Sequence, residues 1–383
     1  MPSFFLAWQY LSKHRLQAMV MITGVALALF LPLTTHWLID AFDQTIKSRA
    51  KATPLVLGEK GSRFDLVLHS LYFRAPVDGA MTQGDLAALR TNEFGKNLAY
   101  SIPIYRQFNV RKKPLVGTSL DYFYFRKLRI AEGEQMALLG DCVLGAKVAE
   151  ELDLRPGSKV KTDSGNPFDL ADQYPLQLNV TGVLTPNGTA DDQAVFVDVK
   201  TAWIIPGIIH GHDKNASNTI SKKLLKSHLE ITPDNIDSFH FDGDPGKSPL
   251  TAILPVPVPN DTKTRTLLLE HYQHHDRLQA HKPMEVAADM MSMVMRVRDF
   301  LDANYVFVAT TTALLLALIV ALSRRLRAKE METMFLLGCS RGTLFALQAA
   351  ELTIIFAASA ALALLAAWAS VAWAQDYLHT LTG

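Results

Sequence analysis

Three long stretches almost free of charge constrain this chain more than anything else in it. The first, Leu16 to Ile39, contains no Asp, Glu, Lys or Arg. About 20 such residues in a helix span a ~30 Å hydrocarbon core. The second runs from Ala303 to Ser323. The third runs from Thr343 to Ala374, interrupted only by Gln348 and Glu351. No turn signal falls inside the third, so the pattern predicts one long helix and not a hairpin. A cleaved leader needs an apolar core of only 7–15 residues and a small-x-small site after it. The first run is longer and no Ala-x-Ala follows, so it reads as an anchor. Pro32 is expected to kink it near its outer end.

The flanks give the orientation. Lys13, His14 and Arg15 precede the first run, and Arg324, Arg325, Arg327 and Lys329 follow the second. Basic residues mark the cytoplasmic side. The N-terminus and the 324–342 elbow are therefore expected inside, and the large domain and C-terminus outside. Trp368, Trp373 and Tyr377 suit an outer interfacial belt. The expected segments are 1–40 (N-terminal segment and first span), 41–282 (outer domain), 283–302 (stalk), 303–323 (second span), 324–342 (elbow), 343–375 (third span) and 376–383 (outer tail). The fold class is three transmembrane helices plus a large extracytoplasmic α+β domain. Three helices do not easily enclose a solute path, which calls for an oligomer or a partner.

Composition agrees with that division. Hydrophobic residues make up 49% of the chain and charged residues 20%, with a mean hydropathy of +0.11. That is too apolar for an ordinary soluble enzyme and too polar for a chain that is all membrane helix. A net charge of +1 provides no field for nucleic acid, which is not an expected partner. Two cysteines exclude a disulfide scaffold or a cysteine-rich zinc module. Cys142 outside and Cys339 inside cannot pair within one chain. Both read as small apolar side chains.

The outer domain mixes strand and helix signals. Leu176 to Gly188 alternates Leu178 and Val180 and ends in Pro-Asn-Gly. Gln193 to Trp203 puts Val195, Val197 and Val199 on one face. KPLVGTSLDYFYF and SIPIYRQFNV read as further strands. Leu144, Val148 and Leu152 share a helical spacing before Pro156-Gly157. The polar stretch from Ile208 to Gly246 suggests a second lobe, and the pattern turns helical from Asp261 to Tyr305. Met284, Met290, Met291, Met293 and Met295 read as adaptable stalk packing, not as a copper site.

Six histidines raise the question of zinc. His210 and His212 frame HGHD; His271, His274, His275 and His281 lie in HYQHHDRLQAHK. On a helix, His271 and His275 at i, i+4 have the spacing that lets two imidazoles meet one zinc ion. The competing reading is a solvated histidine-rich surface. GxxxxGK[ST] and HExxH are absent, and GxSxG occurs only as Gly338–Gly342, between two helical patterns and not after a strand, so neither P-loop ATP binding nor a familiar hydrolase centre is expected.

The segment Arg324–Glu351, RRLRAKEMETMFLLGCSRGTLFALQAAE, resembles the cytoplasmic elbow of MacB/FtsX-type (LolC/MacB-like) ABC transporter permeases. Glu330 and Glu332 stand near that family's acidic position. Gly338-Cys339-Ser340-Arg341 matches its Gly-Ala-Ser-Arg turn, with Cys339 for alanine, and Glu351 matches its later acid. The order of motifs in the outer domain, ALLGDCVLGAKVAEELDLRPGSKVKT and then LNVTGVLTPNGTADDQAVFVDVKTAW, is similar to the periplasmic core domain of the same permeases. Together with the layout of the spans, the likeness covers most of the chain.

The resemblance implies a bacterial inner-membrane permease subunit without catalytic residues of its own. Its elbow would dock on a separate ATPase that holds ATP-Mg. Arg324, Arg325, Arg327, Lys329, Glu330, Glu332, Gly338, Ser340, Arg341 and Glu351 would serve that coupling. Further partners would be a second copy or a related permease, the lipid bilayer, and a periplasmic adaptor or carrier protein. ATP-driven motion would reshape the outer domain to export or extract a substrate. An FtsX-like regulator, which signals through the membrane to a periplasmic partner without transport, is the alternative. The bland reading of the basic run is a positive-inside anchor, and that of Glu351 is a carboxylate that reaches interfacial water and orients the elbow by pairing with a base. The family ordinarily has a fourth membrane helix. A shortened member, a helix from another subunit and a truncated reading frame are equally compatible with three.

Overall fold

The structure, a computed structural model, describes residues 2–74, 81–163, 175–211, 229–326, 328–336 and 338–381. Its helices in chain order are α1 (Pro2–Lys13), α2 (Arg15–Lys51), α3 (Arg63–Tyr72), α4 (Gln83–Thr91), α5 (Leu120–Arg126), α6 (Ala146–Leu152), α7 (Val199–Ile204), α8 (Thr262–Gln273), α9 (Pro283–Leu326), α10 (Ala328–Leu336) and α11 (Arg341–Leu381). They fall into two compact units. One comprises Met1–Gln44 and Met291–Tyr377, and the other is built around Thr45–Met290.

In the first unit α2, α9 and α11 carry the three charge-poor runs. Among the described residues these are the helices long and apolar enough to cross a membrane. Phe307, Leu314 and Leu318 of α9 are exposed, which suits a lipid solvent, since a helix satisfies its backbone internally. Along α11, Ile355, Ser359, Ala363 and Ala367 are buried at four-residue intervals. Small side chains let helix backbones approach, and Ser359 Oγ donates to the Ile22 carbonyl of α2 at 3.1 Å. The third run is one unbroken helix, as its lack of turn signals predicts.

Two helices exceed the expected boundaries. α2 does not stop at Asp40 but continues through Pro32 and Asp40 to Lys51. His36 Nδ1 donates to the Pro32 carbonyl at 2.8 Å and Thr35 Oγ1 to that of Leu31 at 2.9 Å. α9 joins the expected stalk and second span in one rod of 44 residues, about 66 Å at 1.5 Å per residue. Gly24 and Pro32 interrupt the sequence of α2, whereas α9 contains neither glycine nor proline after its first residue.

The second unit is α+β. An eight-stranded sheet is centred on Leu176–Leu184, which buries alternate residues as its period predicts. This strand pairs parallel with Asp141–Leu144, and Lys113–Thr118 pairs parallel with Val195–Asp198. An antiparallel four-stranded sheet holds Leu98–Ile104, Ala252–Pro257, Val56–Glu59 and Leu278–His281. The core includes Leu57, Cys142, Leu178, Val197, Trp203 and Ile253.

Several local readings change. Leu144 ends a strand and does not share α6 with Val148 and Leu152. Val199 opens α7, and KPLVGTSLDYFYF divides into a strand and α5. Leu278–His281 is a strand within the stretch read as helical, because β pairing with Val56–Glu59 outweighs local propensity. The described part of 208–246 belongs to the same unit: Ile209–His210 pairs with His240–Phe241, and Leu229–Glu230 extends the large sheet.

Candidate coupling elbow and stalk anchor

The elbow carries a described helical stretch, Ala328–Leu336, followed by a glycine turn. α9 ends at Leu326, α10 occupies nine residues, and α11 begins at Arg341. Gly338 N donates to the Phe335 carbonyl at 3.0 Å, closing α10. Gly338 has φ +96°, a conformation that residues with a Cβ avoid. Ser340 then caps α11, its Oγ accepting from Thr343 N at 3.2 Å. The Arg341 guanidinium lies over the Phe335 ring, 5.9 Å from its centroid, and ties the end of α10 to the start of α11.

Arg325, Glu332, Gly338, Ser340 and Arg341 are exposed. Leu336 is 80% exposed and Phe335 48%. The described surface of α10 and its turn is thus both charged and apolar. Arg324 lies in the last turn of α9, and Lys329 and Glu330 lie in α10. Arg327 falls outside the described residues. Glu351 sits one helix further on, lining a cavity of about 50 Å³ with Tyr10, His14, Gln17 and Gln348. His14 is the base that shares this cavity with it.

Between α2 and α9 runs a polar ladder with about one contact per turn. Thr35 Oγ1 and Tyr305 Oη are 2.7 Å apart. His36 Nε2 lies 3.5 Å from Asp302 Oδ1, and Arg298 Nη1 3.3 Å from Asp40 Oδ1. Since His36 Nδ1 donates to a carbonyl, Nε2 faces the carboxylate.

The last turns of α2 belong to the α+β unit and are fixed there by a buried ion pair. Arg49, 6% exposed, donates from Nη1 and Nη2 to both oxygens of Asp191, each at 2.8 Å. This bidentate arrangement is the strongest the two groups offer. Arg49 Nε donates to the Leu71 carbonyl. Tyr122 Oη accepts from Arg49 Nη2 at 2.8 Å and donates to Asp191 Oδ1 at 2.6 Å. Burial alone pushes the Asp191 carboxyl up. The Arg49 guanidinium, helped by Arg126 and the Tyr122 hydroxyl, outweighs it and holds the group at about 2. The same burial raises the Tyr122 phenol. Gly145 makes room for this loop, because a Cβ there would collide with the Asp191 carbonyl oxygen. Nothing in the local sequence announces the pair, whose members lie 142 positions apart.

Among the described residues, the candidate histidines stand in three places. His210 packs on His240, with ring centroids 4.6 Å apart. His271 and His275 are 6.4 Å apart, because α8 ends at Gln273 and leaves His275 beyond the helix. His275 Nδ1 instead accepts from the backbone of Arg277 and Leu278. His274 is exposed beside Glu270. His281 bonds Gln279, and burial, then Arg63, lowers its pKa. His212 lies outside the described residues. Among the described residues no group of three or more His, Cys, Asp or Glu is placed to hold a metal. Both cysteines are free. Burial, then Asp141, raises the Cys142 thiol well above its usual range, as befits a core side chain.

Residues 18–224 match the family of the MacB-like periplasmic core domain, over more than half of the chain. Among solved structures, the chain is similar to the periplasmic region of MacB from Actinobacillus actinomycetemcomitans, with 10% identity and a TM-score of 0.35 over 64% of this chain and 95% of that one. It is also similar to the extracellular domain of the noncanonic ABC-type transporter YknZ from Gram-positive bacteria, with 13% identity and a TM-score of 0.32 over 59% and 98%. No curated protein matches.

Proposed function

Because the chain belongs to the MacB/FtsX-type ABC transporter permeases, with a membrane-embedded part and an extracytoplasmic domain, we propose that it couples ATP hydrolysis in a separate ATPase to a change of shape in that domain. The family implies the ATPase partner. Inner-membrane location, an inside N-terminus, and export or extraction of a substrate belong to the same proposal. A second permease copy or a related permease, and a periplasmic adaptor or carrier, would complete the assembly.

The observation that carries this reading is the exposed charged and apolar surface of Ala328–Leu336 and its glycine turn, which lies in sequence between two membrane-length helices. A helix held by a glycine turn at one end, and by an arginine over its own phenylalanine, is a defined docking element. From it α9 runs without interruption to Pro283. The ladder from Thr35 to Asp40 ties α9 to α2, and Arg49 ties the last turns of α2 into the α+β unit. A push received by α9 would pass across the ladder to α2 and along α2 to Arg49. ATP-Mg acts in the partner, and this chain's residues receive and transmit.

Reversing Arg324, Arg325 and Arg327 to Glu should lower the ATPase recovered with the tagged chain from native membranes at least about tenfold, since like charges facing each other across an interface cost several kcal/mol. The melting of the α+β domain should stay unchanged. Undiminished recovery would remove the elbow from the interface. Mass spectrometry of the wild-type eluate separates the roles: an adaptor or carrier beside the ATPase supports transport, and a cell-wall hydrolase supports the regulator.

A further inference from the structure

A second cavity, about 330 Å³, opens beside the anchor of α2 in the α+β unit. Arg49, Arg126, Lys127 and Arg129 line it, against Asp191 as the one carboxylate. Asp191 is already engaged by both arms of Arg49. Lys127 and Arg129 are exposed, and exposed cations alone are usually just solvated.

Arg126 is different. Its Nε is buried without a hydrogen-bond partner, while Nη2 donates to Thr53 Oγ1 at 2.9 Å. A guanidinium has five N–H donors, so this fork has donors to spare. The rings of Tyr122 and Phe125 flank it at 5.8 and 4.9 Å. Burial, then the neighbouring Arg49 charge, lowers its pKa. Arg126 shares the Asp191 charge with Arg49, and a buried unsatisfied donor requires an explanation.

The opposite wall is set in advance. Asp192 accepts from Asn187 N and from Gly188 N, the latter at 2.7 Å. This fixes the Pro186–Thr189 turn that borders the cavity. A recess lined by four cations, with a rigid rim and a planar guanidinium at its base, is a receptor for a compact anion with several oxygens.

We propose that this cavity binds a phosphate group, with Arg126 as the buried fork and Lys127 and Arg129 as the outer cations. The shared chemistry is that of free phosphate and of a phospholipid headgroup. The site is independent of ATPase docking, and its test needs no ATPase. The full chain in a non-ionic detergent is titrated by calorimetry with inorganic phosphate and, separately, with dihexanoyl phosphatidylglycerol and dihexanoyl phosphatidylcholine. Saturable binding is expected, about tenfold weaker in the Lys127→Gln/Arg129→Gln double variant, whose exposed positions leave thermal unfolding unchanged. Arg126→Gln should abolish it. Binding of inorganic phosphate as tight as that of the lipids identifies the free anion, and saturation by phosphatidylglycerol alone identifies a headgroup; either supports the site. No saturation by any probe up to about 10 mM, or unchanged affinity in the double variant, overturns it.

Discussion

Asp191 finds its charge partner 142 positions away in the chain, and that separation is why neither residue is legible from sequence. Sequence patterns expose neighbours at three, four or two positions, and a buried pair joining α2 to a turn of the α+β unit has no such period. Removing one partner leaves the other charge buried, at a cost of ~3–5 kcal/mol. Asp191→Ala should therefore lower the thermal midpoint of the full chain in detergent by several degrees. Replacing both members, Arg49→Met with Asp191→Leu, should recover more than half of the loss. A midpoint unchanged in Asp191→Ala would show that the pair contributes nothing. The Asp191 carboxyl sits at about 2 when folded, below its ~3.9 when unfolded. The stability it adds is complete above pH ~4 and fades as the pH falls toward 2. A urea series between pH 5 and pH 2 should show that loss in the wild type and less of it in the double variant.

At the scale of the element, the spans are legible because about 20 successive residues without charge are the length and chemistry that a bilayer core demands. Their ends are not. Asp40 looks like the return to water, yet the helix goes on, because Ile46 and Ala50 are buried on the same side as Arg49. The run Leu144, Val148, Leu152 fits a helical period by coincidence, since Leu144 is fixed by its strand pairing with Val183 and Val195. The GCSR turn is legible in full, because φ +96° at Gly338 is a demand that only one residue type meets cheaply. No atom lies within 4 Å of a Cβ built there, so Gly338→Ala carries only the backbone term, ~1–2 kcal/mol. It should loosen the turn and reduce co-purifying ATPase activity severalfold, while Gly342→Ala, one turn on, should leave it near wild type. Equal effects at the two positions would count against a special role for the turn.

For the whole molecule, the proposed topology assigns Cys142 and Cys339 to opposite sides of the bilayer. Cys142 is buried and Cys339 half-buried. A membrane-impermeant maleimide added to intact spheroplasts should therefore label nothing, and Cys339 should react only after permeabilisation. Labelling of Cys339 in sealed spheroplasts would invert the orientation read from the basic flanks. The histidines teach the complementary lesson. Their spacing is suggestive, but α8 ends between His271 and His275, and a metal site needs convergence that composition alone does not supply.

The contrast between α2 and α9 has a mechanical corollary. α9 has neither glycine nor proline after Pro283, whereas α2 carries Gly24 and Pro32 within its apolar stretch. Sharp bends in helices concentrate at such residues. The rungs at Thr35, His36 and Asp40 join α2 to α9 just beyond both interruptions, so α2 is braced only past its compliant stretch. An axial push at the elbow would then reach the far ends as a tilt, with α9 keeping its line and α2 yielding at its joints.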